Sequence, residues 1–399
     1  MSTPPITVAS RLSGYLRGGG IITPLLTALV AFLLGGVVVA ITGSNPFSTY
    51  KAIFDGTGLN WLFPWISAED RQLAGLNLQQ TLILTTPLIL TGMAVGYAFR
   101  AGLFNIGGQG QYLVGTFAAV WAGSSLEGTP AVAHVAIAMA AGTLAGALWG
   151  GIAGVLRATT GANEVITTIM LNYCALWIGV FAFGLGGPLH SSSQESVPIS
   201  NEVLASAKLP VFWGDAELQG LHVGLFVALV VLALFWVLLN RSVAGYEARA
   251  VGFNPDAAEY GGISAGRTYA RVMLLCGAFA GLAGTLDVLG WQFTVATNDI
   301  SNSFSSIGIG FLGIAVALLG RNTAVGILFS ALLFGALING TSVRNLDPAV
   351  FDPELATNLT LVIQGLIVLL VSAPVIVTSV LALRGRAGRG SSAASEAEA

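Results

Sequence analysis

Charged residues are scarce in this sequence. Only 9% of its 399 residues are Asp, Glu, Lys or Arg, whereas an ordinary soluble domain has about 25%. A water-soluble chain of this length needs far more polar surface to cover its hydrophobic cores. The composition therefore excludes a soluble enzyme, a nucleic-acid-binding protein and a disordered chain.

Cysteine and histidine are also sparse. The two cysteines, Cys174 and Cys276, provide neither a disulfide framework nor the spacing of metal ligands, and we interpret both as small buried residues. The three histidines, His134, His190 and His222, are scattered near the outer ends of apolar runs. We therefore predict no metal site.

Sequence motifs for catalysis are missing as well. The only lysines are Lys51 and Lys208, and neither belongs to a G-x-x-x-x-G-K-[ST] phosphate-binding loop. The sequence has no H-E-x-x-H zinc motif and no G-x-S-x-G nucleophile elbow. We predict that the chain is not an enzyme and binds no cofactor of its own.

Long apolar runs are what the sequence does contain. Hydrophobic residues make up 54% of the chain and its mean hydropathy is +0.80. A bilayer core of about 30 Å needs about 20 apolar residues per helix. We predict an all-α polytopic membrane protein with about ten transmembrane helices, some of them broken by glycines. The runs begin near Ile21, Leu78, Gln109, Ala131, Val165, Leu221, Val272, Ser306, Ala324 and Asn358.

Basic residues predict the orientation of these helices, because Lys and Arg accumulate in cytoplasmic loops. With ten spans and a cytoplasmic N-terminus, 12 of the 16 basic residues fall inside and 4 outside. We therefore predict that both termini are cytoplasmic. The chain then divides into an N-terminal segment (residues 1–20), a transmembrane domain (21–383) and a disordered tail (384–399).

One glycine-rich stretch, Arg100 to Gly115, carries amides at membrane depth. Asn105, Gln109 and Gln111 lie among closely spaced glycines, each of which weakens a helix by about 1 kcal/mol relative to alanine. Two interpretations stay open: a broken helix beside a substrate path, or close packing of helices whose amides bridge neighbours.

A second polar stretch, Gly161 to Asn172, opens the fifth apolar run. Asn163 is suited to cap the helix and Glu164 suits the positive end of its dipole. Asn172 lies deeper, where a polar group must find a partner.

Asp287 is a carboxylate inside the seventh apolar run. Such a group normally faces a cavity or a pairing partner. Trp291 follows within about a turn, and tryptophan favours the membrane interface. Trp291 and Phe293 either line an outward entrance and stack on a flat ligand, or belong to an aromatic belt.

The predicted loop at residues 241–271, here called the coupling segment, lies on the cytoplasmic side. Asn254 before Pro255 fits a helix start, and Gly261 with Gly262 fits its end. This short helix is either an amphipathic connector or a docking surface for a soluble partner.

Four motifs in this order resemble the permeases of bacterial ATP-binding-cassette importers for simple sugars and nucleosides, the ribose- and guanosine-permease family. The resemblance covers about Leu78 to Leu383. Its motifs are Leu103 to Gly115, Gly161 to Tyr173, Ala248 to Ile263 and Gly313 to Ile327. The second is similar to the nucleoside branch. The sequence departs from the family at Gln109, where an acidic residue is common.

The resemblance implies several partners in a bacterial plasma membrane. It implies two cytoplasmic ATPase subunits that use ATP and Mg²⁺, a second related permease in a heterodimer, and an extracytoplasmic substrate-binding lipoprotein. The partners do not include nucleic acid, and membrane lipid surrounds the chain. The residues implied in ATPase coupling are Ala250, Gly252, Asn254, Pro255, Ala258, Glu259 and Gly262.

We therefore predict the permease subunit of an ATP-driven nucleoside or sugar importer. An ion-gradient-driven secondary transporter is the alternative; it would need ion-coordinating groups at mid-membrane and would not require the coupling segment. A structural membrane subunit would leave the polar residues inside the spans unexplained. The predicted substrate-path residues are Asn105, Gln109, Asn172, Asp287, Trp291 and Phe293.

Overall fold

A computed structural model describes residues 22–215, 220–305, 308–342, 345 and 352–372, and these residues are mostly helical. The predicted segment 1–20 and tail 384–399 lie outside them. The helices are α1 (Ile22–Ile41), α2 (Pro46–Thr57), α3 (Ala68–Arg100), α4 (Gly108–Ser125), α5 (Ala131–Thr160), α6 (Glu164–Phe183), α7 (Gly224–Arg241), α8 (Val243–Phe253), α9 (Pro255–Tyr260), α10 (Ala265–Asp287), α11 (Thr297–Ser305), α12 (Ile309–Leu319), α13 (Ala324–Gly340) and α14 (Pro353–Ser372), with short 3₁₀ turns at Leu59–Leu62 and Ala205–Ala207.

Seven helical stretches are long and apolar enough to cross a bilayer among the residues described. They are Pro24–Ile41, Ala68–Arg100, Ala131–Thr160, Glu164–Phe183, Gly224–Arg241, Ala265–Gln292 and Thr297–Leu319. Helices α4, α13 and α14 occupy the three remaining predicted positions. The count of ten spans and the orientation of the termini stay predictions.

A small sheet makes the all-α prediction incomplete. Strands β1 (Val211–Trp213) and β2 (Leu221–His222) pair antiparallel, with an irregular register. The backbone of a loop that folds over the bundle must find hydrogen-bond partners, and the β-branched and aromatic residues of β1 suit a strand.

Helices α3 and α10 form the centre of the bundle, since most of their residues are buried, whereas α1, α5, α6 and α7 bury fewer than a third of theirs. This peripheral position corrects one prediction. Cys276 on α10 is buried as expected, but Cys174 on α6 is exposed, because α6 contacts the bundle along one face only.

Glycines bring α5 and α10 into backbone contact. A Cβ atom added to Gly146 would lie 2.5 Å from the carbonyl oxygen of Gly277 and 2.5 Å from Cα of Gly281. Small residues four positions apart place one helix backbone directly against another. The α5 face consists of Gly142, Gly146, Gly150 and Gly154.

Candidate functional site

The loop before α4 is shaped by the amide of Asn105. Its Nδ2 donates to Oε1 of Gln111 at 3.0 Å, and Nε2 of Gln111 donates back to Oδ1 of Asn105 at 3.1 Å. The same Oδ1 accepts from the backbone N–H of Gly107 at 3.1 Å. Both side chains are buried, so this reciprocal pair fixes the irregular backbone that leads into the helix.

Asn172 of α6 caps the start of α4. Its Oδ1 accepts the N–H of Gly110 at 2.7 Å, and its Nδ2 donates to the carbonyl oxygen of Ile106 at 3.0 Å. A Cβ on Gly110 would lie only 2.9 Å from that Oδ1. The glycines at the start of α4 thus allow this helix to pack closely against α6. The irregular backbone lies before the helix.

Gln109 joins α4 to α12. Its Oε1 accepts the N–H of Gly310 at 2.9 Å, while its Nε2 is buried and has no hydrogen-bond partner in the part of the chain that the structure describes. Buried amide donors are rarely left unpaired. Asn105, Gln109 and Asn172 all hold backbone groups at or near the start of α4 and are here called the amide cluster.

Asp287 lies in a second cluster, at the far end of α10. Its Oδ2 accepts from the hydroxyl of Tyr112 at 2.6 Å, and its Oδ1 accepts from Nε1 of Trp291 at 3.2 Å. The carboxylate is 1% exposed, which fits the predicted pairing partner. Gln109 and Tyr112 both belong to α4, so this helix carries residues of both clusters.

The backbone after Asp287 is widened and then turned. Val288–Gln292 form a π-helical turn, a feature common at functional sites. Phe293 ends it in the left-handed region, with φ 58°, which is rare for a bulky residue. Nζ of Lys208 lies 4.2 Å from the centre of the Phe293 ring. Trp291 lies within this turn and Phe293 directly follows it, and both side chains are half-buried.

The coupling segment has the helix that the sequence predicts. Asn254 Oδ1 accepts the N–H of Ala257 at 3.0 Å ahead of Pro255, and Gly262 follows the helix with φ 81°. Ala258 is buried and packs with Val251 and Ala265. Five predicted coupling residues are exposed, namely Gly252, Asn254, Pro255, Glu259 and Gly262, and Ala250 is half-buried.

Two aromatic residues that the sequence analysis missed stand at the ends of α9. Phe253 is 90% exposed and Tyr260 is 96% exposed, and Asp256 and Glu259 are exposed between them. Aromatic side chains and carboxylates that point away from the bundle form a surface suited to a partner. Their position on either side of a short polar helix was the signal in the sequence that could have identified them.

A glycine contact connects the coupling segment to the loop before α4. A Cβ on Gly252 would lie 2.3 Å from the carbonyl oxygen of Arg100, and one on Gly102 would lie 3.3 Å from Cα of Gly252. Gly102 has φ 70°. The coupling segment thus touches the backbone that leads to Asn105.

Histidines and carboxylates do not gather into a metal site anywhere in the described part of the chain. His134 contacts Ser206 and the carbonyl oxygen of Ala122, and His222 accepts the N–H of Gly224. These roles are structural.

A bundle of membrane-spanning helices with a buried amide cluster and a protruding coupling segment defines a membrane transport subunit. A family model, described as the permease component of a branched-chain amino acid transport system, matches residues 77–372. The chain belongs to this family of membrane permease components, which are not enzymes themselves.

Three relatives are similar along most of the chain. The guanosine ABC transporter permease protein NupP of Bacillus subtilis is 38% identical over 79% of this chain and 84% of its own length. The nucleoside permease protein NupB of Lactococcus lactis is 36% identical over 80% and 83%. The glucose permease protein TsgB13 of Haloferax volcanii is 32% identical over 81% and 80%. No solved structure matches the chain significantly.

Proposed function

We propose that this chain forms the translocation path of an ATP-driven importer for nucleosides or related simple sugars, and that its coupling segment docks on a cytoplasmic ATPase subunit. The observation that carries the proposal is the exposed surface of α9, where Phe253 and Tyr260 flank two carboxylates. A carrier that works alone on an ion gradient does not require such a surface.

The amide cluster supports a neutral substrate. Asn105, Gln109 and Asn172 are uncharged hydrogen-bonding groups, and the relatives are named for guanosine, nucleosides and glucose, which are uncharged and rich in hydroxyl groups. The Nε2 donor of Gln109 has no partner among the residues that the structure describes. We assign the inner part of the path to this cluster and the outer part to Asp287, Trp291 and Phe293.

The proposed assembly places every cofactor on a partner. ATP and Mg²⁺ are bound by the ATPase, and this chain binds neither. A second, related permease completes the path as a heterodimer, and an extracytoplasmic lipoprotein delivers the substrate to the outer loops. The complex resides in a bacterial plasma membrane with both termini of this chain in the cytoplasm.

Co-purification in a mild detergent tests the docking surface. We expect the tagged chain to bring down an ATPase and a second permease, each identified by mass spectrometry. The double variant Phe253→Ala/Tyr260→Ala should lose most of the ATPase but keep the second permease. The control is Phe47→Ala, since Phe47 is 87% exposed on α2, away from the coupling segment.

Equal ATPase recovery from all three proteins would contradict the docking role. A homo-oligomer without ATPase, together with uptake that depends on a proton or sodium gradient, would establish the secondary transporter instead. Uptake of labelled guanosine, uridine and glucose in cells that lack and regain the gene then identifies the substrate. Uptake of none of them would contradict the proposed substrate class.

A further inference from the structure

A cavity of about 580 Å³ lies between α1, α7 and α13, near the coupling segment. It is separate from the amide cluster and from Asp287. Part of its lining is apolar and exposed: Leu25 and Phe329 are each 65% exposed, and Val325 is 64% exposed. These residues belong to the predicted membrane spans or their ends, so acyl chains of the bilayer have direct access to this wall.

The lining of the cavity is also strongly basic. Arg100, Arg249 and Arg321 come from three separate parts of the chain and all line it. The described residues that form the cavity wall include no aspartate or glutamate. Since all three arginines carry positive charge at any physiological pH, the cavity favours an anion.

Arg249 indicates where the anion binds. Its Nη1 is buried and has no hydrogen-bond partner among the described residues. A guanidinium group has five donors in a fixed plane and is suited to phosphate oxygens. Arg100 differs, because its Nε and Nη2 donate to the carbonyl oxygen of Asn322 at 3.2 and 3.1 Å. Arg100 therefore shapes the wall, and Arg249 has a donor available.

The start of α13 also makes the cavity favourable for an anion. Thr323, Ala324, Val325 and Gly326 line the cavity at this helix N-terminus, where backbone N–H groups and the helix dipole favour a negative charge. Trp236 also lines the cavity and is 46% exposed, and tryptophan suits the headgroup level of a bilayer.

We propose that this cavity binds an anionic phospholipid, with its phosphate at Arg249 and the start of α13 and an acyl chain along Leu25 and Phe329. Basic pockets between transmembrane helices are known to hold anionic headgroups. The combination of a basic end with an exposed apolar wall suits a lipid better than free phosphate, which would leave the apolar wall unused.

Residues 1–21 and 384–399 are the competing occupants. Residues 1–21 contain Arg11 and Arg17 and no carboxylate, so their charge opposes binding to three arginines. Residues 384–399 contain Glu396 and Glu398 but also Arg384, Arg386 and Arg389, so only the two glutamates at their end would compete for the basic cavity. The experiment therefore includes a chain that lacks residues 384–399.

Native mass spectrometry of the full-length chain, with its co-purifying subunits, measures lipid binding directly. The probes are dioleoyl phosphatidylglycerol, dioleoyl phosphatidylcholine and inorganic phosphate. We expect phosphatidylglycerol to bind more tightly than phosphatidylcholine. Arg249→Gln should weaken phosphatidylglycerol about fivefold, the effect of one basic residue near the headgroup.

Two further variants make the result specific. Ala28→Phe fills the apolar side of the cavity and should also weaken phosphatidylglycerol. Arg267→Gln removes an equal charge from the exposed start of α10, outside the cavity, and should not. Millimolar inorganic phosphate should not displace the lipid.

Three results would overturn the proposal. The first is equal binding of the two lipids, or equal binding by all variants. The second is displacement by inorganic phosphate with no effect of Ala28→Phe, which would identify a phosphate site. The third is a rise in lipid affinity on removal of residues 384–399 that Arg249→Gln abolishes, which would make this C-terminal segment the native occupant.

Discussion

The contact between α5 and α10 can be tested with a single methyl group. In Gly146→Ala the new Cβ would lie 2.5 Å from a carbonyl oxygen of α10 and 2.5 Å from one of its Cα atoms. Both are backbone atoms, which cannot rotate away as a side chain can. To reach 3.4 Å, where ordinary contact begins, the helices must separate by about 0.9 Å.

Two effects of this substitution oppose each other. Alanine stabilises a helix by about 1 kcal/mol relative to glycine, whereas forcing an extra methyl group into a packed interface costs about 1–3 kcal/mol. We expect the packing cost to prevail, because the separation disturbs the whole interface. Gly151→Ala is the matched control: its Cβ would meet only Leu274, at 3.9 Å, and should be neutral or stabilising.

The assay heats the purified full-length variants in detergent and follows the folded fraction by fluorescence-detected size exclusion. We expect Gly146→Ala to unfold several degrees below the parent chain and Gly151→Ala at or above it. If both variants unfold at the same temperature, the backbone contact between α5 and α10 does not limit stability and the reasoning fails.

Three other predictions concern the two clusters and the coupling segment. Asn172→Ala leaves a buried backbone donor and acceptor unpaired and should cost about 2 kcal/mol, measured by the same thermal assay. A double-mutant cycle of Tyr112→Phe and Asp287→Ala should give a coupling energy of about 0.5–1.5 kcal/mol, as for a buried hydrogen bond. Gly252→Ala should lower substrate uptake, because its Cβ would lie 2.3 Å from a backbone oxygen, whereas Gly266→Ala, with a nearest contact at 3.4 Å, should not.

Each of these predictions has a contradicting result. Unchanged unfolding of Asn172→Ala would mean that water or another group replaces the cap. Additive effects in the double-mutant cycle would mean that Tyr112 and Asp287 are not coupled. Equal uptake by Gly252→Ala and Gly266→Ala, at equal amounts of protein in the membrane, would remove the coupling role of that contact.

Local signals in the sequence predicted much of the fold. Apolar length located a helix at each of the ten positions, and Asn254 with Pro255 located the start of α9. Asn163 caps α6 as predicted, accepting from the N–H groups of Val165 and Ile166 at 2.9 and 3.3 Å. These features depend on neighbouring residues, so a single sequence contains enough information to find them.

Long-range pairing could not be predicted in the same way. Asp287 was recognised as a buried carboxylate, but its partner Tyr112 is 175 residues away, and nothing local identifies it. Likewise, the sequence alone could not choose between the two interpretations of the glycine-rich stretch. That choice depends on the position of α6, because the amide of Asn172 bridges to the start of α4. The exposure of Cys174 depended on which face of α6 meets the bundle.

The glycine contact between α5 and α10 also has a mechanical consequence. Helix α10 begins five residues after α9 ends and runs 23 residues to Asp287, about 35 Å at 1.5 Å per residue. Because backbone atoms of α5 and α10 are in direct contact, we expect the two helices to resist bending and to move as one rigid body. A rotation of this pair by about five degrees about the α9 end would therefore move the Asp287 end by about 3 Å, which is the width of a water molecule.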